Sequence, residues 1–272
     1  MPEYAFDLDT SVTPSDGGGL WRGHVTDRWD IGDVPNGGYV LAIALAAVRG
    51  AVRQPHPLTV TAHYLGPCRH GDVDVVVDVL KQGRSLSTAT ARLVQENMTR
   101  LALLATFGDL ASQRGPTLVT ARPPELPPPD ACGDPGERPV GMGFAVRPPI
   151  VDRVEFRPSP ATAARLAQRN DTARLEGWIR LADGRPLDVD CLPLLVDATP
   201  PAVFGALQTG WVPTLELTVH VRGQPTGSAW LKVASSTSAL IDGLLEEQVE
   251  LWDEAGNLVA MSRQLARLLP PA

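Results

Sequence analysis

The chain has 272 residues, 43% of them hydrophobic and 20% charged, the make-up of a globular protein long enough for one large core or two small ones. A formal charge of −7 and a pI near 5.2 argue against nucleic acid or an anionic membrane as the main partner, since both call for basic surface. Three widely separated cysteines, Cys68, Cys132 and Cys191, suit free thiols in a reducing compartment better than a disulfide framework. The start shows no signal peptide and the longest apolar run, Tyr39 to Val48, is too short to span a bilayer, so a soluble cytoplasmic protein is expected.

Residues 1 to 19 are polar and read as an arm or loop, followed by a first strand over Leu20 to Trp29. The turn residues Asp33-Val34-Pro35-Asn36-Gly37-Gly38 lead into an Ala/Leu-rich helix that is apolar nearly all round and therefore buried. Strands are predicted over Leu58 to Leu65, Asp72 to Lys81, Ser87 to Glu96 and, after a turn at Asn97, Arg100 to Phe107. From Gln113 to Pro149 the composition shifts to Pro, Gly, Arg and Asp, as in a linker. The organisation expected is thus residues 1–112, a Pro-rich linker at 113–149, and residues 150–272. In the last part an extra strand over Val151 to Phe156 and a helical insertion over Ala161 to Asn170 precede a strand at Arg174 to Leu181 and a helix within Leu192 to Leu207. Strands at Leu215 to Arg222, Ala229 to Ser235, Leu244 to Trp252 and Leu258 to Leu268 complete it, with a hairpin loop at Asp253 to Asn257.

The two halves read as copies of one unit. Trp21 and Trp178 lie 157 residues apart, and the same offset sets Leu58–Tyr64 against Leu215–Val221 and Leu101–Leu103 against Leu258–Ala260. At that offset Asp197 falls opposite Val40, Thr214 opposite Pro57 and Gln264 opposite Phe107, while Gly37-Gly38 falls opposite Leu194-Leu195. Polar residues in the second copy facing apolar ones in the first are what a composite site would produce. Taken alone, Asp197 before Thr199-Pro200-Pro201 also suits a helix N-cap.

Strand, buried helix and antiparallel strands, twice over, is the order of a double hotdog, an α+β fold in which each sheet wraps round one helix. Pro35-Asn36-Gly37-Gly38-Tyr39-Val40-Leu41-Ala42, then His63-Tyr64-Leu65-Gly66-Pro67, then Gly83-Arg84-Ser85-Leu86-Ser87 resemble the first half of the acyl-CoA thioesterase II family. Val196-Asp197, Thr214-Leu215-Glu216 and Ser262-Arg263-Gln264 resemble its second half. The resemblance implies that Asp197, Thr214 and Gln264 hold and activate a hydrolytic water. Glu216-Leu217, where the family carries an Asp-His pair, and residues 108–150 depart from the pattern and leave the acyl preference open.

In such a site Asp197 is the general base, and Thr214 and Gln264 orient the water. Gly37 and Gly38 either admit the thioester to the helix N-terminus or serve a tight turn. His63 and His220, at matching strand positions, read as structural. Arg147, Arg153 and Arg157 either meet CoA phosphates or are solvated surface. No His-x-x-x-His, Cys-x-x-Cys or Gly-x-Ser-x-Gly occurs, so no metal or other cofactor is expected. The expected activity is acyl-CoA hydrolysis to a carboxylic acid and free CoA. A non-catalytic acyl-thioester binder, or a dehydratase or acyltransferase on the same scaffold, is the alternative. A homodimer is expected, because hotdog sheets associate edge to edge.

Overall fold

The structure, a computed structural model, describes residues 4–15, 18–133, 147–169, 172–207, 210–225 and 227–269. In chain order the first half contains helix α1 (Ala5–Asp9), strands β1 (Thr13–Pro14), β2 (Leu20–Val25), β3 (Asp30–Ile31) and β4 (Val34–Pro35), and helix α2 (Gly37–Ala51). Strands β5 (His56–Tyr64), β6 (Gly71–Gln82), β7 (Ser87–Gln95) and β8 (Met98–Gly108) follow. The second half contains β9 (Val154–Pro158), α3 (Pro160–Gln168), β10 (Arg174–Leu181), the one-turn helix α4 (Leu192–Leu195), β11 (Thr214–Val221), β12 (Leu231–Ile241), β13 (Leu244–Trp252) and β14 (Leu258–Arg267).

Twelve strands form one antiparallel sheet in the order β1-β2-β6-β7-β8-β5-β11-β14-β13-β12-β10-β9. Read outward from the β5–β11 junction, the order is the same on both sides, which is the mark of a duplicated unit. At that junction Thr61 stands opposite Thr218, 157 positions later, with their hydroxyl oxygens 2.9 Å apart. A pseudo-twofold axis therefore passes through this pair of threonines.

Helix α2 starts cleanly because the Asn36 side chain accepts the Tyr39 N–H at 3.0 Å, a cap that satisfies one of the free amides of the first turn. Tyr39, Leu41, Ile43, Ala44, Ala47 and Val48 are all fully buried, so the helix is enclosed, as an all-round apolar face requires. Glu96 and Asn97 both take positive φ, 53° and 60°, giving the tight hairpin turn that joins β7 to β8.

Several details differ from the sequence-based expectation, among them a strand expected over Ala229 to Ser235 that runs instead over Leu231–Ile241. Residues 5–9 are a docked helix, because Phe6 is buried edge-on against Trp29 and Asp9 accepts the Trp29 indole N–H at 2.8 Å while pairing with Arg28. That helix also reaches the second half, with Asp7 and Arg185 2.8 Å apart. The first long strand stops at Val25, and Trp29 lies in a 3-10 turn.

The helix expected within Leu192–Leu207 is shorter than its counterpart α2 and lies ahead of Asp197. It ends after one turn, Leu192–Leu195, and a separate 3-10 turn forms at Ala202–Gly205. Pro200 and Pro201 supply no amide for a continuing helix, which explains the break.

The offset of 157 holds between β5 and β11 but not in every strand: Trp21 and Gly177 stand opposite the equivalent Val75 and Val233, so Trp21 does not match Trp178, and the last strand is displaced as well. The irregularity in the β5–β8 ladder falls between Pro57 and Thr59, opposite Phe107 and Thr106, and that in β11–β14 between Thr214 and Glu216, opposite Ala266 and Leu265. The match places Ala266 at Phe107, and Gln264 corresponds to Ala105. Ser87 and Leu245 hold equivalent places, already 158 apart, so one extra residue enters before β13 and one in the longer Asp253–Asn257 loop.

Since α2 is the post around which the sheet packs, Ile43→Ala is expected to cost about 2 to 5 kcal/mol in urea unfolding, as for other buried aliphatic truncations. Leu118→Ala, at a side chain 86% exposed, is expected to stay within about 0.5 kcal/mol of wild type.

Candidate active site

Two clusters of polar groups stand out, one at the start of α2 and one on the strands of the second copy. The first joins the copies. The short helix α4 packs against α2, and its C-terminal end brings Asp197 to the N-terminus of α2. Asp197 Oδ2 accepts the Gly38 backbone N–H at 2.7 Å and an Asn36 side-chain N–H at 3.1 Å. The same Asn36 nitrogen also donates to the Asp197 carbonyl at 3.1 Å. Asp197 therefore does not cap its own helix; its carboxylate occupies the amide-rich end of the helix from the other copy.

Gly38 is glycine because of this approach. A Cβ there would lie 2.9 Å from Asp197 Cβ and 3.0 Å from both Cα and O of Leu194, too close for any side chain. At Gly37 a Cβ would come within 3.1 Å of Asp197 Oδ2 and of the Tyr64 ring. The Gly38 N–H is committed to Asp197, whereas the Gly37 N–H has no partner among the described residues.

The second cluster lies on β11, β13 and β14. The Thr214 hydroxyl donates to Gln264 Oε1 at 2.9 Å, and Gln264 Nε2 donates to Glu247 Oε1 at 3.1 Å. Glu247 Oε2 accepts the Ala202 N–H at 2.5 Å, which ties this cluster to the turn that follows Asp197. No hydrogen bond joins Asp197 directly to Thr214 or Gln264 among the described residues.

The electrostatics link the clusters. Burial among apolar groups pushes the Asp197 carboxyl up to about 6, against the pull of the Gly38 and Asn36 hydrogen bonds. Burial pushes Glu247 up to about 8, and the Asp197 charge adds to the rise. The Tyr64 phenol is pushed well above 10, first by burial and then by Asp197. Among the described residues its oxygen is buried without a hydrogen-bond partner, unusual for a group whose burial unpaired costs free energy.

Of the residues picked out in sequence, Thr214 and Gln264 are in contact with each other, and Asp197 is in contact with Gly37 and Gly38. His63 and His220 are exposed on their strands. Arg147 pairs with Asp152, and Arg157 pairs with Glu155 while lying over Trp230. Sequence reasoning missed Asn36, Tyr64 and Glu247. Glu247 had a signal, because it shares the inward face of β13 with Leu245, Val249 and Leu251, where period-two alternation calls for an apolar residue.

A double hotdog with a carboxylate held at the helix of one copy defines the class. Family models for the acyl-CoA thioesterase N-terminal domain and the acyl-CoA thioesterase C-terminal domain match residues 25–108 and 123–268. A candidate thioesterase II of Thermobifida fusca superposes with a TM-score of 0.86 and 30% identity, covering 99% of each chain. A hot dog protein of unknown function from Alicyclobacillus acidocaldarius superposes with a TM-score of 0.85 and 23% identity over the full length of both. An uncharacterised protein of Mycobacterium tuberculosis is 27% identical over 91% of this chain and 90% of its own. The chain belongs to the acyl-CoA thioesterase family and is a hydrolase of thioester bonds. No helix among the described residues is long and apolar enough to cross a membrane.

The raised Asp197 pKa has a thermodynamic consequence. The unfolded side chain loses its proton near 3.8 and the folded one near 6, so over that window the folded state binds more protons and stability falls as pH rises. Asp197→Asn removes this cost. It is expected to be more stable than wild type at about pH 8 by roughly 1 to 3 kcal/mol, with the gap closing below about pH 4, in urea unfolding at the two pH values.

Proposed function

We propose that the enzyme hydrolyses acyl-CoA by direct attack of water, with Asp197 as general base and Thr214 and Gln264 fixing the water. The observation that carries this reading is the carboxylate of one copy seated at the helix N-terminus of the other, with its pKa raised to about 6. A base with that pKa is ionised near neutrality and still basic enough to take a proton in the transition state, an effect typically worth about 10² to 10⁴ in rate.

In the proposed reaction Asp197 takes one proton from water as its oxygen bonds to the thioester carbonyl carbon. The carbonyl electrons move onto oxygen to form a tetrahedral oxyanion. That intermediate collapses with cleavage of the C–S bond, and the thiolate of CoA receives the proton held by Asp197. Products are the carboxylic acid and CoA, and the base is restored.

Two donors near Asp197 have no partner among the described residues, the Gly37 N–H at the helix mouth and the Tyr64 hydroxyl, and we assign them to the developing oxyanion. Gly38 serves the base instead, through the N–H it gives to Asp197. The division at 113–149 and the homodimer stay part of this proposal, with dimerisation open to sedimentation analysis.

The test is thiol release from a panel of acyl-CoAs. Asp197→Asn is expected to lower kcat by at least about 100-fold while a thioether analogue still binds, and wild-type kcat is expected to rise with pH through about 6. Tyr64→Phe is expected to lower kcat by about 100-fold with KM little changed, as for loss of one oxyanion donor. Full turnover in Asp197→Asn would remove the assigned base.

A further inference from the structure

Glu247 is 2% exposed and makes no ion pair among the described residues. A carboxyl so placed would be a liability in a purely structural role, because a well-packed apolar residue avoids the cost of burying a charge. Its two oxygens have different partners. Oε2 takes the Ala202 N–H, and Oε1 faces the Gln264 amide, whose other end faces Thr214.

We infer that Glu247 is a positioning residue whose protonation state sets the direction of the Gln264–Thr214 hydrogen-bond relay, and so decides whether the attacking water meets an acceptor or a donor at Thr214. The inference rests on the water-attack reading given above.

The argument is one of donors and acceptors. An ionised carboxylate can only accept, so the Gln264 NH2 must face Glu247 and its carbonyl oxygen must face Thr214. Thr214 then spends its single proton on Gln264, and its oxygen is left as an acceptor. A water giving one proton to Asp197 and the other to Thr214 keeps a lone pair for the carbonyl carbon.

Protonating Oε1 reverses every step. Glu247 donates, the amide turns over, its NH2 faces the Thr214 oxygen, and the threonine proton points at the water. A water that accepts that proton keeps a second lone pair, but its other hydrogen is left unheld and its oxygen is drained of electron density, so it is a weaker and less fixed nucleophile. The ionised form thus gives the more reactive relay.

The surroundings make the two forms accessible in an ordinary pH range. Burial on the inward face of β13, between Leu245 and Val249, raises Glu247 to about 8. The Asp197 and Glu246 charges raise it too, while the Ala202 N–H and Gln264 oppose them. Arg263 on β14 is turned to Glu246, 3.1 Å away. The facing stretch of β12, Ser235-Ser236-Thr237-Ser238, and the turn Ala202-Val203-Phe204-Gly205 bring no charge. On this account kcat climbs in two steps, near 6 with Asp197 and near 8 with Glu247.

The experiment compares wild type, Glu247→Gln and Glu247→Asp in kcat and KM from about pH 5 to pH 10, and follows the Gln264 side-chain amide by 15N NMR without substrate. The amide signal is assigned by its loss in Gln264→Ala. In Glu247→Gln the new amide oxygen meets Ala202 and its NH2 donates to Gln264, fixing the protonated arrangement. That variant is expected to lose about 10- to 100-fold in kcat with KM within about twofold, to lack the upper rise, and to show no titration of the Gln264 amide. Wild type is expected to show that titration with a midpoint near 8, and Glu247→Asp to recover part of the rate and the upper rise.

A wild-type amide that does not titrate, or a Glu247→Gln profile that keeps both rises, overturns the inference while leaving Asp197-dependent hydrolysis intact. A titrating amide in an enzyme indifferent to Asp197→Asn keeps the relay and overturns the assigned base instead.

Discussion

The site depends on one contact between the two copies, the bond from the Gly38 N–H to Asp197 Oδ2. It fixes a carboxylate from the second copy at the N-terminus of the buried helix of the first, where backbone amides welcome negative charge. Without it, Asp197 would be an acid in an apolar surround with Asn36 as its only side-chain donor among the described residues. The close passage of α4 over Gly37 and Gly38 makes the contact possible, and the truncation of the second-copy helix leaves Asp197 free to point across the axis instead of along its own helix.

This arrangement explains why the copies diverged. Around the pseudo-twofold axis at Thr61 and Thr218 the first copy kept a long helix and apolar positions, Pro57 and Ala105, where the second has Thr214 and Gln264. A symmetric pair of sites would have buried two such carboxylates. On the proposed reading, one site exchanges some folding stability for a base and a relay that burial holds near neutral pH, while the enclosed helix and the continuous sheet supply the apolar core that tolerates the cost.

Much of the fold was legible in the residues. The limits of β10 and β13 follow the alternation of Arg174–Leu181 and Leu244–Trp252, and the enclosure of α2 follows from its lack of a polar face. Other features answer to contacts made between distant segments. A polar composition hid the docking of residues 5–9, which turns on Phe6 and Trp29, and a constant offset concealed the shifted register of the last strand. In the site, Asp197, Thr214 and Gln264 stood out against apolar counterparts, but the partners of Asp197 are set by the helix crossing. Tyr64 sits in a strand where an aromatic residue is unremarkable, and Glu247 is one of two adjacent glutamates whose opposite fates only the pleat distinguishes.

The most direct measurement is a crystal structure of the enzyme with a non-hydrolysable thioether analogue of acyl-CoA. The account predicts the carbonyl at the mouth of α2, with its oxygen toward the Gly37 N–H and Tyr64 and an ordered water bridging Asp197 to Thr214. An analogue bound elsewhere, with Asp197 still sealed between Asn36 and Gly38 and no water reaching it, would contradict the account.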